Sequence, residues 1–338
     1  MSRRFLVFAD DALRSIKPIN IRHALILAFL AFITGLAGPN SAQAAAPLSK
    51  APPVGFYRMM LGEYEVTALL DGTIAIPVAK FLTNTTPDEV EKALARQFLK
   101  DPVVLSVNAY LVNTGAKLVL IDAGGGQTYG NALGSLAANL RATGYQAEQV
   151  DEIYITHMHA DHVGGLTSDG KAAFPNAIVR ADKHEADYWL SQKNLDVAPK
   201  DEQKGFADAI AALKPYVDAG KFKTFDGDTD LVPGVRAHAS RGHTPGHTTY
   251  FVESKGERLA LWGDLMHVAA VQFPNPAVTI SFDVDSKAAA VARQKAFADA
   301  ADKGYWVAAA HLSFPGIGHL RKDGSGYAFV PANFAPAR

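Results

Sequence analysis

The chain has 338 residues, 48% of them hydrophobic, 20% charged and 9% aromatic, with 33 basic against 34 acidic side chains and no cysteine. This is a globular composition, long enough for one or two domains. A near-neutral charge without a long basic run excludes nucleic acid and anionic membrane surfaces as main partners. The missing thiols exclude disulfides, thiolate nucleophiles and Cys-ligated metals, so any metal must sit on nitrogen and oxygen.

Arg3, Arg4, Arg14, Lys17 and Arg22 precede an apolar run over 24–37, and Ser41-Ala42-Gln43-Ala44-Ala45-Ala46 follows it. Residues 1–46 therefore read as a cleaved secretory signal, and the protein as periplasmic or secreted. The apolar run is shorter than the ~20 residues that span a bilayer, so no stable membrane anchor is expected. Ser2-Arg3-Arg4-Phe5-Leu6 has the layout of a twin-arginine signal, although it lies far from the apolar run. Losing five basic and two acidic residues turns the formal charge from −1 to −4.

The mature segment, residues 47–338, reads as one α/β domain. Residues 63–70 alternate apolar and polar, Asp71-Gly72 is a turn signal, and 73–78 resume the pattern, which predicts an opening hairpin. Thr86-Pro87-Asp88-Glu89 starts a helix. Residues 103–112 and 117–121 flank Asn113-Thr114-Gly115 as a second hairpin, and 133–142 form a helix ended by Gly144. Short strands follow at 153–156, 177–180, 235–239, 248–252, 259–262 and 306–310, with helices at 183–190, 206–213 and 287–301. Strands and helices interleave throughout, and no repeat or linker divides the segment.

Histidines and aspartates gather at the ends of four of these strands. The strand ending at Thr156 runs into His157-Met158-His159-Ala160-Asp161-His162. Residues two apart in extended backbone point the same way, so His157 and His159 can share one ion. The turn toward Gly164-Gly165 throws Asp161 and His162 to the other side, where they can serve a second. One segment cannot complete two coordination shells. The remaining ligands are sought in His243, Asp264 and His311, each just past an apolar run, with a carboxylate bridging, His243 on the first ion and His311 on the second. Such N/O ligands take zinc, manganese, cobalt or iron.

Several of these residues have plainer readings. Alone, Asp264 would read as a cap or turn aspartate. His247 reads as a structural partner of a neighbouring ligand, because His243 already fills the ligand place. His184, His238 and His319 are given no role. The glycines at 124–126 lack the lysine and spacing of a phosphate loop.

The motif set resembles the metallo-β-lactamase superfamily, and within it methyl parathion hydrolase and its close relatives, including aryl lactonases. Phe56-Tyr57-Arg58-Met59-Met60-Leu61-Gly62, residues 154–165, Gly242-His243-Thr244-Pro245-Gly246-His247-Thr248-Thr249-Tyr250 and residues 311–319 carry the resemblance, which extends over nearly the whole mature chain. It implies an αββα sandwich and a homodimer. It also implies a binuclear site with His157, His159 and His243 on one metal, Asp161, His162 and His311 on the other, and Asp264 bridging. Asp122 becomes a partner standing behind a metal histidine, and Tyr129, Trp189 and Phe206 become pocket aromatics, where burial alone would make the last two core residues.

His267 departs from the organophosphate-degrading members, which carry an apolar residue there, and the residues at Ile280 and Phe282 differ in shape. An imidazole beside the metals suits a planar ester or lactone, while Ile280 and Phe282 narrow the space for a tetrahedral phosphotriester. The expected activity is therefore hydrolysis of aryl lactones such as dihydrocoumarin or of aryl esters, with phosphotriester cleavage as a side activity; phosphotriester cleavage as the main activity is the alternative. Two cations lower the pKa of water from about 15.7 toward about 7, which supplies metal-bound hydroxide near neutrality. Asp264 holds the pair of ions and Asp161 is a candidate to orient the hydroxide. A di-iron redox protein would need a flavin partner and more carboxylates, a nuclease would need a basic patch, and a non-catalytic relative would have lost part of the ligand set.

Overall fold

The computed structural model describes residues 48–50 and 53–334. The expected export signal lies outside them. From Pro53 onward the chain forms one compact unit built on two seven-stranded sheets.

The first sheet takes its strands in chain order: β1 (Phe56–Leu61), β2 (Tyr64–Ile76), β3 (Val103–Asn113), β4 (Leu118–Ile121), β5 (Glu152–Tyr154), β6 (Ile178–Asp182) and β7 (Phe222–Phe225). Pairing is antiparallel as far as β4 and parallel from β4 to β7. The second sheet is likewise sequential: β8 (Thr229–Val232), β9 (Val235–Ala239), β10 (Thr248–Ser254), β11 (Glu257–Leu261), β12 (Trp306–Ala308), β13 (Ile317–Asp323) and β14 (Gly326–Pro331), with one parallel pair, β11 with β12. The helices that flank the sheets or carry residues of the site are α1 (Pro87–Arg96), α2 (Leu136–Ala142), α3 (Ala160–Val163), α4 (Lys183–Trp189), α5 (Gln203–Asp218) and α6 (Ser286–Lys303).

Strand alternation explains the layering. In β3 and β4, Ala109, Leu111, Leu118 and Leu120 pack with Leu140 of α2 and Leu213 of α5. Their neighbours Tyr110, Val112, Val119 and Ile121 pack instead with Val235, Tyr250, Leu259 and Leu261 of the other sheet. On the far side of that sheet Ala260 and Val307 meet Phe297 and Ala300 of α6. Period-two burial on both faces makes these strands read as largely apolar runs, and the polar residues inside β3, Ser106 and Asn108, are buried with them. The result is the αββα sandwich that the resemblance implies. Among the described residues no helix is long and apolar enough to cross a membrane.

Two local expectations change. Asp71-Gly72 does not turn a hairpin: β2 runs through it as a bulge, with the register against β3 shifting between Leu70 and Gly72, and the turn falls instead at Gly62, whose φ is +58°. The cause is the use made of Asp71. Its buried carboxylate accepts N–H groups from Gly125 (2.8 Å), Gly134 (3.1 Å) and Leu136 (2.9 Å), pinning the 124–136 connection against the sheet. A bulge frees one residue from the ladder for such a task. The helix expected from residue 133 begins at Leu136, because Gly134 takes φ +100°. The Thr86 start is as expected: Thr86 and Glu89 cap each other's backbone N–H, and Val90 and Leu94 are buried. Strands β1, β7, β8, β13 and β14 have no counterpart among the elements expected from the sequence.

Replacing Asp71 with Asn sets an amide against three donors. The expected cost is about 1–3 kcal/mol of stability, read as a shift in the urea midpoint.

Candidate metal centre

Each candidate ligand follows the carboxyl end of a strand. β5 leads to His157 and His159, then to α3 with Asp161 and His162; β9 leads to His243, β11 to Asp264 and β12 to His311. In α3 the His159 carbonyl accepts the N–H groups of His162 and Val163, and this single turn carries Asp161 and His162 away from the His157–His159 side. Gly263 precedes Asp264 at φ +55°, and a Cβ there would stand 2.8 Å from Thr156 Oγ1, so only glycine lets the two loops approach.

The seven side chains converge on two adjoining groups. In the first, His157 Nε2 and His243 Nε2 each lie 3.0 Å from His159 Nδ1, and 3.6 and 3.5 Å from Asp264 Oδ2. In the second, His162 Nε2 and His311 Nε2 lie 3.6 and 3.5 Å from Asp161 Oδ2. Asp264 joins them: its Oδ1 is 3.2 Å from His162 Nε2 and its Oδ2 is 3.1 Å from His311 Nε2.

The opposite ring nitrogens are held from behind. Asp122 Oδ2 faces His162 Nδ1 at 2.8 Å, Asp283 Oδ1 faces His243 Nδ1 at 2.8 Å, the Ser106 carbonyl faces His311 Nδ1 at 2.9 Å, and Thr156 Oγ1 faces His157 Nδ1 at 3.1 Å. Such partners fix ring orientation and, when the ring is neutral, turn the Nε2 lone pair toward the group. Asp122 also accepts the Thr156 N–H and hydroxyl, so one carboxylate sets both sides of the motif.

These residues fit divalent cations. His162 Nε2 and Asp264 Oδ1 are buried and have no hydrogen-bond partner, and His159 Nδ1, which carries at most one hydrogen, faces the Nε2 atoms of both His157 and His243. Burial pushes His157 and His243 well below the usual histidine range and His159 down to about 4, the neutral form that ligates. Burial also disfavours charge on His162 and His311, but Asp264 foremost, with Asp161, holds His162 well above the usual range and His311 up to about 9. Burial alone would raise Asp264, yet His162 and then His311 hold it well below the carboxylate range.

The other expected residues sort into three places. Tyr129, Trp189, His267 and Phe282 line the cavity above the two groups, about 700 Å³ in volume. Phe206 and Ile280 do not line it, against expectation. Phe206 packs behind Trp189 with ring centroids 4.6 Å apart, and Ile280 is buried in the apolar cluster under α1, so both shape the wall from one layer back. His247 stands outside both groups: its Nε2 accepts the Asp264 N–H (3.1 Å), its Nδ1 faces Ser240 Oγ (2.9 Å), and burial pushes it down to about 4. His267 Nε2 lies 3.1 Å from Asp264 Oδ2. Asp283 and Glu185 were missed, because in sequence each looks like an ordinary loop or helix acid.

A model of the metallo-beta-lactamase superfamily matches residues 102–311. The chain belongs to that superfamily. Among solved structures it is similar to hydrolase AbOPH in the beta lactamase superfamily, with 39% identity, 85% of this chain and 100% of that one covered, and a TM-score of 0.81. It is also similar to AidC, a dizinc quorum-quenching lactonase in complex with the product N-hexanoyl-L-homoserine, with 30% identity, 83% and 99% covered, and a TM-score of 0.78. A stretch of 116 residues, 34% of the chain, is 26% identical to the N-acyl homoserine lactonase of Bacillus thuringiensis, and it spans only 38% of that relative's length. Superfamily membership, the dizinc neighbour and the paired His/Asp groups together support a centre for two divalent metals.

The partners behind the rings give a selective expectation. Asp283→Ala should weaken the ion held by the three-histidine group by about 10–100-fold and leave the other within a few-fold, whereas Asp122→Ala, which frees His162 and also the Thr156 hydroxyl behind His157, should weaken both, as read by competitive metal titration.

Proposed function

We propose that the protein is a binuclear metal-dependent hydrolase of activated cyclic or aryl esters, with aryl lactones as preferred substrates and phosphotriesters as a side activity. The observation that carries this reading is Asp264, which touches both ligand groups at the floor of a cavity whose walls include Ile74, Ile76, Tyr129, Trp189 and Phe282. Two bound divalent ions supply a water nucleophile near neutral pH and polarise the oxygen that gains charge.

This chain's own residues supply shape and order. Asp264, backed by His247 through its N–H, and Asp161 hold the two groups at a fixed separation. The apolar walls take an aryl or acyl body and exclude water, as substrate pockets generally do. His267 fills the floor beside His311, ring centroids 5.2 Å apart and nearly parallel, with Phe282 6.1 Å away, which favours a planar ester over a tetrahedral phosphotriester. The acids at the floor each face histidines, so the reading favours aryl leaving groups that need little protonation. Similarity to a dizinc lactonase with its ring-opened product supports a lactone substrate. We further propose export after loss of residues 1–46 and a homodimeric assembly, on the signal layout and the family resemblance respectively.

The test is a hydrolysis panel on metal-loaded protein. Dihydrocoumarin should be cleaved with a higher kcat/KM than methyl parathion. Activity should vanish with chelator and return with Zn²⁺, Mn²⁺ or Co²⁺. His267→Leu should raise the phosphotriester-to-lactone ratio by about tenfold. Methyl parathion as the faster substrate would make phosphotriester cleavage the main activity.

A further inference from the structure

The first ligand group is divided between the two sheets. His157 and His159 follow β5 of the first sheet, and His243 follows β9 of the second. Their nitrogens must nevertheless meet within about 3 Å, so something has to fix one loop against the other.

Glu185 lies between them. It stands in the first turn of α4, directly after β6, and is fully buried. Its Oε1 accepts the Met158 N–H at 2.8 Å, and Met158 is the residue between His157 and His159. Its Oε2 accepts the Thr244 hydroxyl at 2.7 Å and the Gly246 N–H at 2.8 Å, on the loop that carries His243. The approach is close on the backbone side as well: a Cβ on Gly246 would stand 2.2 Å from the Glu185 nitrogen. Three donors from two sheets thus meet one carboxylate that touches neither substrate cavity nor ligand nitrogen. A buried acid is costly unless its oxygens are satisfied, and here both are.

We infer that Glu185 is a positioning residue, a carboxylate bridge that sets the distance between the two halves of the three-histidine group and thereby its hold on its ion. This rests on the reading of that group as an ion site. A neutral side chain of the same size cannot do it. Glutamine has one acceptor oxygen, so either Met158 or the pair Thr244 and Gly246 would face an NH₂ group.

The experiment is cobalt titration of metal-free wild type and Glu185→Gln, followed by the visible d–d bands and by binding affinity. Wild type should take up two ions. In Glu185→Gln, the ion that Asp283→Ala also weakens should bind about 10–100-fold less tightly with altered bands, while the other ion stays within a few-fold. Thr244→Val removes one of the three bonds at nearly constant volume and should weaken the same ion by less, which serves if the glutamine variant does not fold. Unchanged affinities and bands for both ions, in either folded variant, would overturn the inference even if thermal stability has fallen. Failure of the wild type to bind a second ion would instead overturn the reading of the site beneath it.

Discussion

The centre depends on Asp264, a fully buried carboxylate that reaches both groups of imidazoles at once. Its burial is unfavourable on its own, and the neighbouring histidines offset this so strongly that the acid stays ionised. The same proximity that stabilises the carboxylate leaves His162 Nε2 and Asp264 Oδ1 facing each other without a hydrogen bond. A site so arranged is complementary to cations rather than to itself. Its geometry persists because the scaffold holds the rings of His157, His162, His243 and His311 from the outside.

The scaffold does so through buried acids and backbone carbonyls. Asp122 and Asp283 each take one ring nitrogen, Ser106 offers its carbonyl to His311, and His247 anchors the backbone of Asp264. Asp283 in turn lies 3.8 Å from the fully buried Arg293 of α6, whose guanidinium also binds the carbonyls of Leu265 and Pro276. The helix on the outer face of the second sheet is thereby linked to a ligand ring at the centre. This arrangement is costly in desolvation and stable only when complete, so single substitutions behind the rings act on the centre as well as on the fold.

The two sheets explain why the centre sits where it does. β5, β9, β11 and β12 present their carboxyl ends toward one crevice, and the connections leaving those ends carry the polar side chains of the centre. The apolar interior between the sheets, with Tyr154 and Tyr250 stacked at 5.6 Å, fixes the strands, and the loops inherit that precision. Cavity shape is decided one layer further out, where Phe206 backs Trp189.

What the sequence determined by itself is whatever is carried by neighbours along the chain. The spacing of His157, His159, Asp161 and His162 encodes two directions of projection because a strand end and a single helical turn are local, and the Thr86–Glu89 cap is local for the same reason. Apolar runs flanked by turn residues gave most central strands and the α/β class. What only the tertiary structure decided is everything joined across large separations: Glu185 to Met158 over 27 residues, Asp283 to His243 over 40, Asp71 to Gly125 over 54, and His311 to the Ser106 carbonyl over 205. A lone Asp or Glu has the same local signature in a turn, at a helix start or behind a metal ligand. Asp71 read as half of a turn, and Ile280 read as pocket lining, because the partner that fixes each role arrives only when the sheets pack.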